Sequence, residues 1–257
     1  NVGKTIVIQG PLVPVLGRAA PGGIQDFITT RPQAKNRSRL EVSASTLHRQ
    51  KVAAEATGTL RKNKLWHRLA VDWSRRSGPE EFVREENLLV SGALTVKHSR
   101  AASSLLSVDY RRLDAGVTPG IPEYKLATGQ KILGPYLPLA LFNANGPAAG
   151  VLRQSLVVGA QFEGQLNRTL ALRAAVEGWW RSIDQDRFTT SQFVLATGLF
   201  EGTREPRHLE QRQHALATHL ELTARFRTGT LEHKLLGYAG VTWGDYARGE
   251  RALSVAD

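Results

Sequence analysis

From about residue 38 onward the chain alternates polar and apolar positions at period two over long stretches. In 65–73, Leu65, His67, Leu69, Val71 and Trp73 share one side, and Trp66, Arg68, Ala70 and Asp72 share the other. Successive side chains of a β-strand point to opposite faces, so this period reads as strand. Leu106, Val108 and Tyr110 oppose Ser107, Asp109 and Arg111 in the same way. Leu170, Leu172, Ala174, Val176 and Trp180 oppose Arg173, Glu177 and Arg181, and Leu216, Leu220, Leu222 and Phe226 oppose His219, Glu221 and Arg225. No sustained window carries apolar residues at i, i+3, i+4 and i+7, as a helix would. The fold class expected is therefore all-β, with strands near 38–47, 50–60, 64–76, 87–98, 102–112, 152–163, 168–182, 209–227 and 230–247.

The connections add a second signal, because short and long ones alternate. Short links fall at 61–63, 98–101, 165–167 and 228–229, and long ones at 77–86, 113–151 and 183–208. A β-sandwich has no reason to keep that rhythm, whereas a transmembrane barrel has tight turns on one side and long loops on the other. Strands of ten or more residues also exceed the five or six usual in globular sheets. Trp73, Tyr110, Trp179, Trp180, Trp243 and Tyr246 lie toward strand ends on the long-loop side, where an interfacial aromatic girdle would sit. The loop 113–151 carries Pro119, Pro122, Pro135, Pro138 and Pro147, which predicts an extended, irregular course.

The first part of the chain is built differently. Gly10-Pro11, Gly17-Arg18 and Pro21-Gly22-Gly23 break short β-rich pieces, Thr5 to Gln9 and Ile24 to Thr29, at positions where the chain must turn. Gly3-Lys4-Thr5 matches the tail of a phosphate-binding loop, but such a loop opens a helix at its lysine. Here Thr5-Ile6-Val7-Ile8 is a β-branched run. Composition shifts after Pro32 to the polar, basic stretch 33–39, which marks a domain boundary.

These clusters, in this order and spacing, closely resemble the end of the plug domain of TonB-dependent outer-membrane receptors of the siderophore type. There a GP, a short apolar run, a G-R/K, a PGG and a strand ending T-K-x-P recur. Three positions depart: Gln9 stands where the family has Arg or Lys, Leu16 where it has an aromatic, and Asp26 where it has Asn. The first departure leaves a plug-to-barrel latch of the family without its basic partner. Further on, Phe226 to Leu236 is similar to the family's F-x-T-G-x-x-E-H-x-L-L hairpin, and Ala56 to Leu60 to its T/S-G-P-L turn. The resemblance implies the C-terminal part of a plug in residues 1–36 and the first nine or so strands of a 22-stranded barrel in residues 37–257. Gly10, Pro11, Gly17, Arg18, Pro21, Gly22 and Gly23 would shape the plug turns.

Composition changes the picture in three ways. Cysteine is absent, so there is no disulfide framework, thiolate metal site or thiol nucleophile. Methionine is absent even at position 1, which suggests a fragment or processed piece, and the family's TonB-contacting box and terminal strand have no match in it. Lysine and arginine outnumber acidic residues by 34 to 23, a formal charge of +11. They are scattered, as in Arg75-Arg76 and Arg111-Arg112, without the basic stripe and interleaved aromatics of a nucleic-acid binder. No apolar run approaches the roughly twenty residues of a membrane helix, a test that does not bear on barrel strands.

Catalytic chemistry is not evident: no serine sits in G-x-S-x-G, and no enzyme or cofactor is expected. His219 and Glu221 share a strand face among His208, His214 and His233, a pattern that metal ligands can use but that lumen-facing polar residues more often show. Tyr124, Tyr136 and Phe142 in the long loop could stack on a chelate, or pack the loop on itself. The resemblance implies a cell outer-membrane receptor that captures a ferric siderophore and is energised through TonB. It would be a monomeric barrel when complete, with outer-membrane lipid around it. The competing reading of the residues is a soluble all-β module binding a polyanion or carbohydrate.

Overall fold

The computed structural model describes residues 2–8, 24–46, 48–79, 81–117, 123–125, 128, 131–133, 143, 145–189, 193–194, 199–200 and 205–252. Every regular element among them is a strand. β1 (Val2–Ile8) pairs antiparallel with β2 (Ile24–Thr29), with a bulge between Val2 and Lys4. Gly3, Lys4 and Thr5 thus lie in extended chain, and no helix N-terminus exists there to hold a phosphate. The plug-motif residues Gly10, Pro11, Gly17, Arg18, Pro21, Gly22 and Gly23 lie outside the described residues.

The remaining strands are β3 (Arg37–Ser45), β4 (Arg49–Arg61), β5 (Leu65–Ser77), β6 (Arg84–Lys97), β7 (Ala102–Gly116), β8 (Glu123–Lys125), β9 (Lys131–Leu133), β10 (Gly150–Gln165), β11 (Leu170–Thr189), β12 (Phe193–Val194), β13 (Leu199–Phe200), β14 (Glu205–Thr228) and β15 (Leu231–Ala252). Nine of these form one antiparallel sheet in the order β15-β14-β11-β10-β7-β6-β5-β4-β3, each long strand pairing with the next long strand in sequence. All nine predicted strands are present. β11 and β14 run further toward the long-loop end than hydrophobic alternation indicated, to Thr189 and from Glu205. Backbone ladder bonds need no apolar side chain, so pairing continues after the alternation stops.

Register explains which face is which, since directly opposed residues share a face. One transverse row runs Ala56, Leu69, Gly92, Val108, Val158, Gly178, Leu216, Trp243. Shifted by one residue, the next row runs Thr57, Arg68, Ala93, Ser107, Gly159, Glu177, Ala217, Thr242 on the opposite face. Burial runs opposite to that of a soluble sheet: Leu69 is 60% exposed while its neighbour Arg68 is 3% exposed. Buried apolar residues among those described are confined to Ala149, Ile183, Leu209 and Ala215, and no large side chain is fully buried. A sandwich would bury one apolar face under a second sheet. Here the apolar face is bare of protein.

The tight turns lie at 62–64, 98–101, 166–169 and 229–230, and each uses turn chemistry suited to it. Asn63 takes a left-handed conformation (φ 58°), and Gly229 does the same (φ 61°). Asn167 Oδ1 accepts hydrogen bonds from the backbone N–H of Thr169 and of Leu170, both at 2.8 Å, an Asx turn that closes its hairpin. At the other end lie 78–83, 117–149 and 190–204, and also 46–48, which is short and breaks the expected rhythm at its first step. The hairpin expected at Phe226 to Leu236 is present as the β14–β15 turn. Ala56 to Leu60, expected as a turn, lies instead within β4. The β4–β5 ladder there carries a bulge between Thr59 and Arg61, and the turn follows it.

Candidate functional site

The polar face of the sheet is the surface on which chemistry can occur, and three features organise it. At the tight-turn end, the segment following β2 is tied to the sheet. Arg31 Nη2 lies 3.1 Å from Glu163 Oε1 and 3.3 Å from Gln161 Oε1, both on β10. Arg173 Nε of β11 approaches the same Glu163 oxygen at 3.6 Å, and Gln161 donates to it as well. Gln33 N–H donates to Thr57 Oγ1 (2.9 Å), whose hydroxyl donates to the His67 carbonyl (2.9 Å). Asn36 Oδ1 accepts from Thr59 N–H (3.0 Å), and Thr59 Oγ1 donates to the Ala34 carbonyl (2.8 Å). Arg31 thus brings a basic group to the sheet a few residues before β3 begins.

In the middle of the face, charges are paired across strands. Arg68 Nε on β5 lies 2.9 Å from Glu55 Oε1 on β4. Lys51 Nζ sits between Glu41 (3.1 Å) and Asp72 (3.5 Å). Such pairs suit a wall in contact with water, where alternate polar positions need partners but not a dry core. His219 and Glu221 are both on this face, and the His219 ring stacks on Tyr238 with centroids 6.3 Å apart.

At the long-loop end the face turns basic. Glu250 Oε1 lies 3.1 Å from Arg187 Nη2 and 3.5 Å from Arg207 Nη1, and Glu250 Oε2 lies 3.4 Å from Arg248 Nη2. The base of the long loop is pinned by two buried asparagines. Asn143 Nδ2 donates to the Val117 carbonyl (2.9 Å), its Oδ1 accepts from Asn145 N–H (3.0 Å), and Asn145 Oδ1 accepts from Phe188 N–H (3.0 Å). The two longest loops also meet: β8 pairs with β9, and parallel with β12, giving a four-stranded sheet ordered β13-β12-β8-β9. The proline content of 113–151 concealed this pairing, because strands of two and three residues leave no periodic trace. Tyr124 takes part through its backbone; Tyr136 and Phe142 lie outside the described residues.

No family model matches the chain. It is 23% identical over 241 residues to the metal-pseudopaline receptor CntO of Pseudomonas aeruginosa, covering 92% of this chain and 32% of that protein. Its fold superposes on the ferripyoverdine receptor of the P. aeruginosa outer membrane with a TM-score of 0.82 at 12% identity, covering 96% of this chain and 32% of that one. The siderophore receptor PiuA of Acinetobacter baumannii (TM-score 0.80, 15% identity, 96% and 36% coverage) and the open form of the ferric-catecholate import receptor Fiu of Escherichia coli (0.78, 15%, 96% and 40%) align over the same extent. The chain has the fold of the barrel wall of these outer-membrane receptors and is similar in sequence to one of them. It spans about a third of the length of the curated relatives it matches.

The nine-stranded sheet aligns with the barrel wall of those structures, where an apolar face meets lipid and a polar face lines the lumen. The aromatic set divides between the two faces. Tyr110 and Trp180 share a row of the apolar face, and Trp73 and Trp243 also lie on that face, whereas Trp179 and Tyr246 alternate onto the polar face. Four of the six thus lie on the apolar face that an interfacial girdle requires, with Trp243 mid-strand in the row of Leu69 and Val108. Trp73 Nε1 donates to Glu86 Oε1 at 3.0 Å, and Tyr110 accepts from Gln154 Nε2 at 3.1 Å, so these two rings have a polar anchor at the tip.

Proposed function

We propose that this chain is part of an outer-membrane receptor that takes up a ferric siderophore, or a closely similar metal chelate, with energy supplied through TonB. The observation that carries this reading is the inverted polarity of the wall, with buried Arg68 on the lumen face beside exposed Leu69 on the lipid face. It is supported by relatives named as receptors of metal-pseudopaline, ferripyoverdine and ferric catecholate. Residues 1–36 would form the C-terminal part of a plug, with Gly10, Pro11, Gly17, Arg18, Pro21, Gly22 and Gly23 at its turns. Residues 37–257 would form the first part of the barrel, which is monomeric when complete.

In this mechanism the ligand is captured from the long-loop side, and remodelling of the plug then opens the lumen. The test is growth of a siderophore-deficient host under iron limitation, carrying the natural gene and supplied with a panel of purified siderophores. Rescue by at least one member, lost when TonB is deleted, is expected. A protein that stays soluble without detergent and shows no heat-modifiable gel mobility would overturn the reading.

A further inference from the structure

The structure assigns a net charge preference to the ligand: we infer that the lumen wall at the long-loop end binds an anionic metal chelate through its arginines. This rests on the receptor reading above and narrows it. On β7, β10, β11, β14 and β15, the four lumen-facing rows from Arg111 to the Arg187–Arg207 pair hold Arg111, Arg153, Arg181, Arg187, Arg207 and Arg248. On those five strands Glu250 is the one carboxylate in these rows; where the rows continue onto β6 and β5, Glu85 is paired with Arg76 and Asp72 with Lys51.

Register makes the excess costly in the absence of an anion. Arg187 and Arg207 stand directly opposite each other across β11 and β14, where like charges repel. Glu250 bridges those two and Arg248. Arg111 donates to the neutral Asn87 Oδ1 (2.9 Å). Arg153 and Arg181 are exposed and have no ion pair or side-chain hydrogen bond among the described residues. Arg181 shares a row with Arg111 and lies one row from Arg153, so the unpaired cations sit together and not at scattered positions.

A surface carrying one sign of charge attracts the opposite sign, and guanidinium forks match carboxylate oxygens two at a time. The face points into the lumen, so anionic lipid headgroups cannot reach it. Carboxylate oxygens on the outside of a metal chelate fit both the charge and the geometry.

The test compares uptake of radioactive iron from iron(III)–citrate, an anionic chelate, and from the cationic iron(III) complex of desferrioxamine B, in cells making the natural full-length receptor. Iron from citrate is expected to enter and iron from desferrioxamine B not to enter. The double substitution Arg153→Gln/Arg181→Gln should lower citrate-dependent uptake at least about ten-fold, the loss of a charge-assisted hydrogen bond, while heat-modifiable mobility confirms a folded barrel. Arg187→Gln should act in the same direction. Equal or better uptake of the cationic complex, or citrate uptake unchanged in the double variant, would overturn the inference and leave the receptor reading standing. Uptake of neither chelate would overturn the inference, and the receptor reading would still be decided by the siderophore panel.

Discussion

Val108→Arg is the substitution that separates a lipid-embedded wall from a water-exposed sheet. On β7 the outward positions run Ser104, Leu106, Val108, Tyr110, Arg112, so the apolar span is bounded by polar residues at both ends. The eight residue steps from Ser104 to Arg112, at about 3.4 Å each, cover about 27 Å along the strand, or about 20 Å along the membrane normal at a 40° tilt. Val108 is at the centre, about 10 Å from either boundary, and is 44% exposed with no second layer over it. An arginine at that depth costs about 3 kcal/mol, roughly two powers of ten in the folding equilibrium. Ser182→Arg is the control: Ser182 faces the same way but shares a row with Arg112 and Arg212, so about 0–1 kcal/mol is expected. The assay is urea unfolding of the full-length protein in lipid vesicles, followed by tryptophan emission. If the two variants lie within about 0.5 kcal/mol of each other, as surface changes in a water-soluble sheet would, the apolar face is not in lipid.

Arg68→Ala removes a 3%-exposed guanidinium paired at 2.9 Å with Glu55, which is itself 38% exposed, so a loss of about 1–3 kcal/mol in the same assay is expected, partly recovered by adding Glu55→Ala. Arg31→Ala breaks a pair that is 48% and 41% exposed and should cost no more than about 1 kcal/mol globally, yet it should speed proteolysis within residues 24–36; unchanged cleavage would show the tie to be dispensable. Asn143→Ala deletes two hydrogen bonds of a 2%-exposed side chain and should raise protease cleavage in 117–149 several-fold, consistent with about 2 kcal/mol of local stability. Gly229→Val places a β-branched residue at φ 61° in a two-residue turn and should slow refolding of the β14–β15 hairpin and cost about 1–2 kcal/mol, whereas Gly229→Asn should be nearly neutral.

Side-chain alternation was enough to place every long strand and to sort its residues by face, from Leu65 to Trp73 through Ala215 to Phe226, because a strand's period of two is a property of local backbone geometry. It was enough also to separate tight turns from long loops, since Asn63, Asn167 and Gly229 carry their turn chemistry in their own side chains or lack of one. What alternation could not say is which face is wet. Leu69 exposed beside Arg68 buried is a statement about what lies across from each, and that depends on the whole sheet. The candidate ligand wall shows the same limit: Arg111, Arg153, Arg181, Arg187, Arg207 and Arg248 are scattered over more than a hundred residues and look like solvated surface one by one. Antiparallel register brings them into adjoining rows around a single carboxylate. The tie from Arg31 to Glu163 and the pairing of β8 with β12 were equally out of reach, because both join segments far apart in the chain. Local chemistry in the sequence determined the strands and turns; register between strands decided which charges meet, because proximity across a sheet leaves no mark on the order of residues along it.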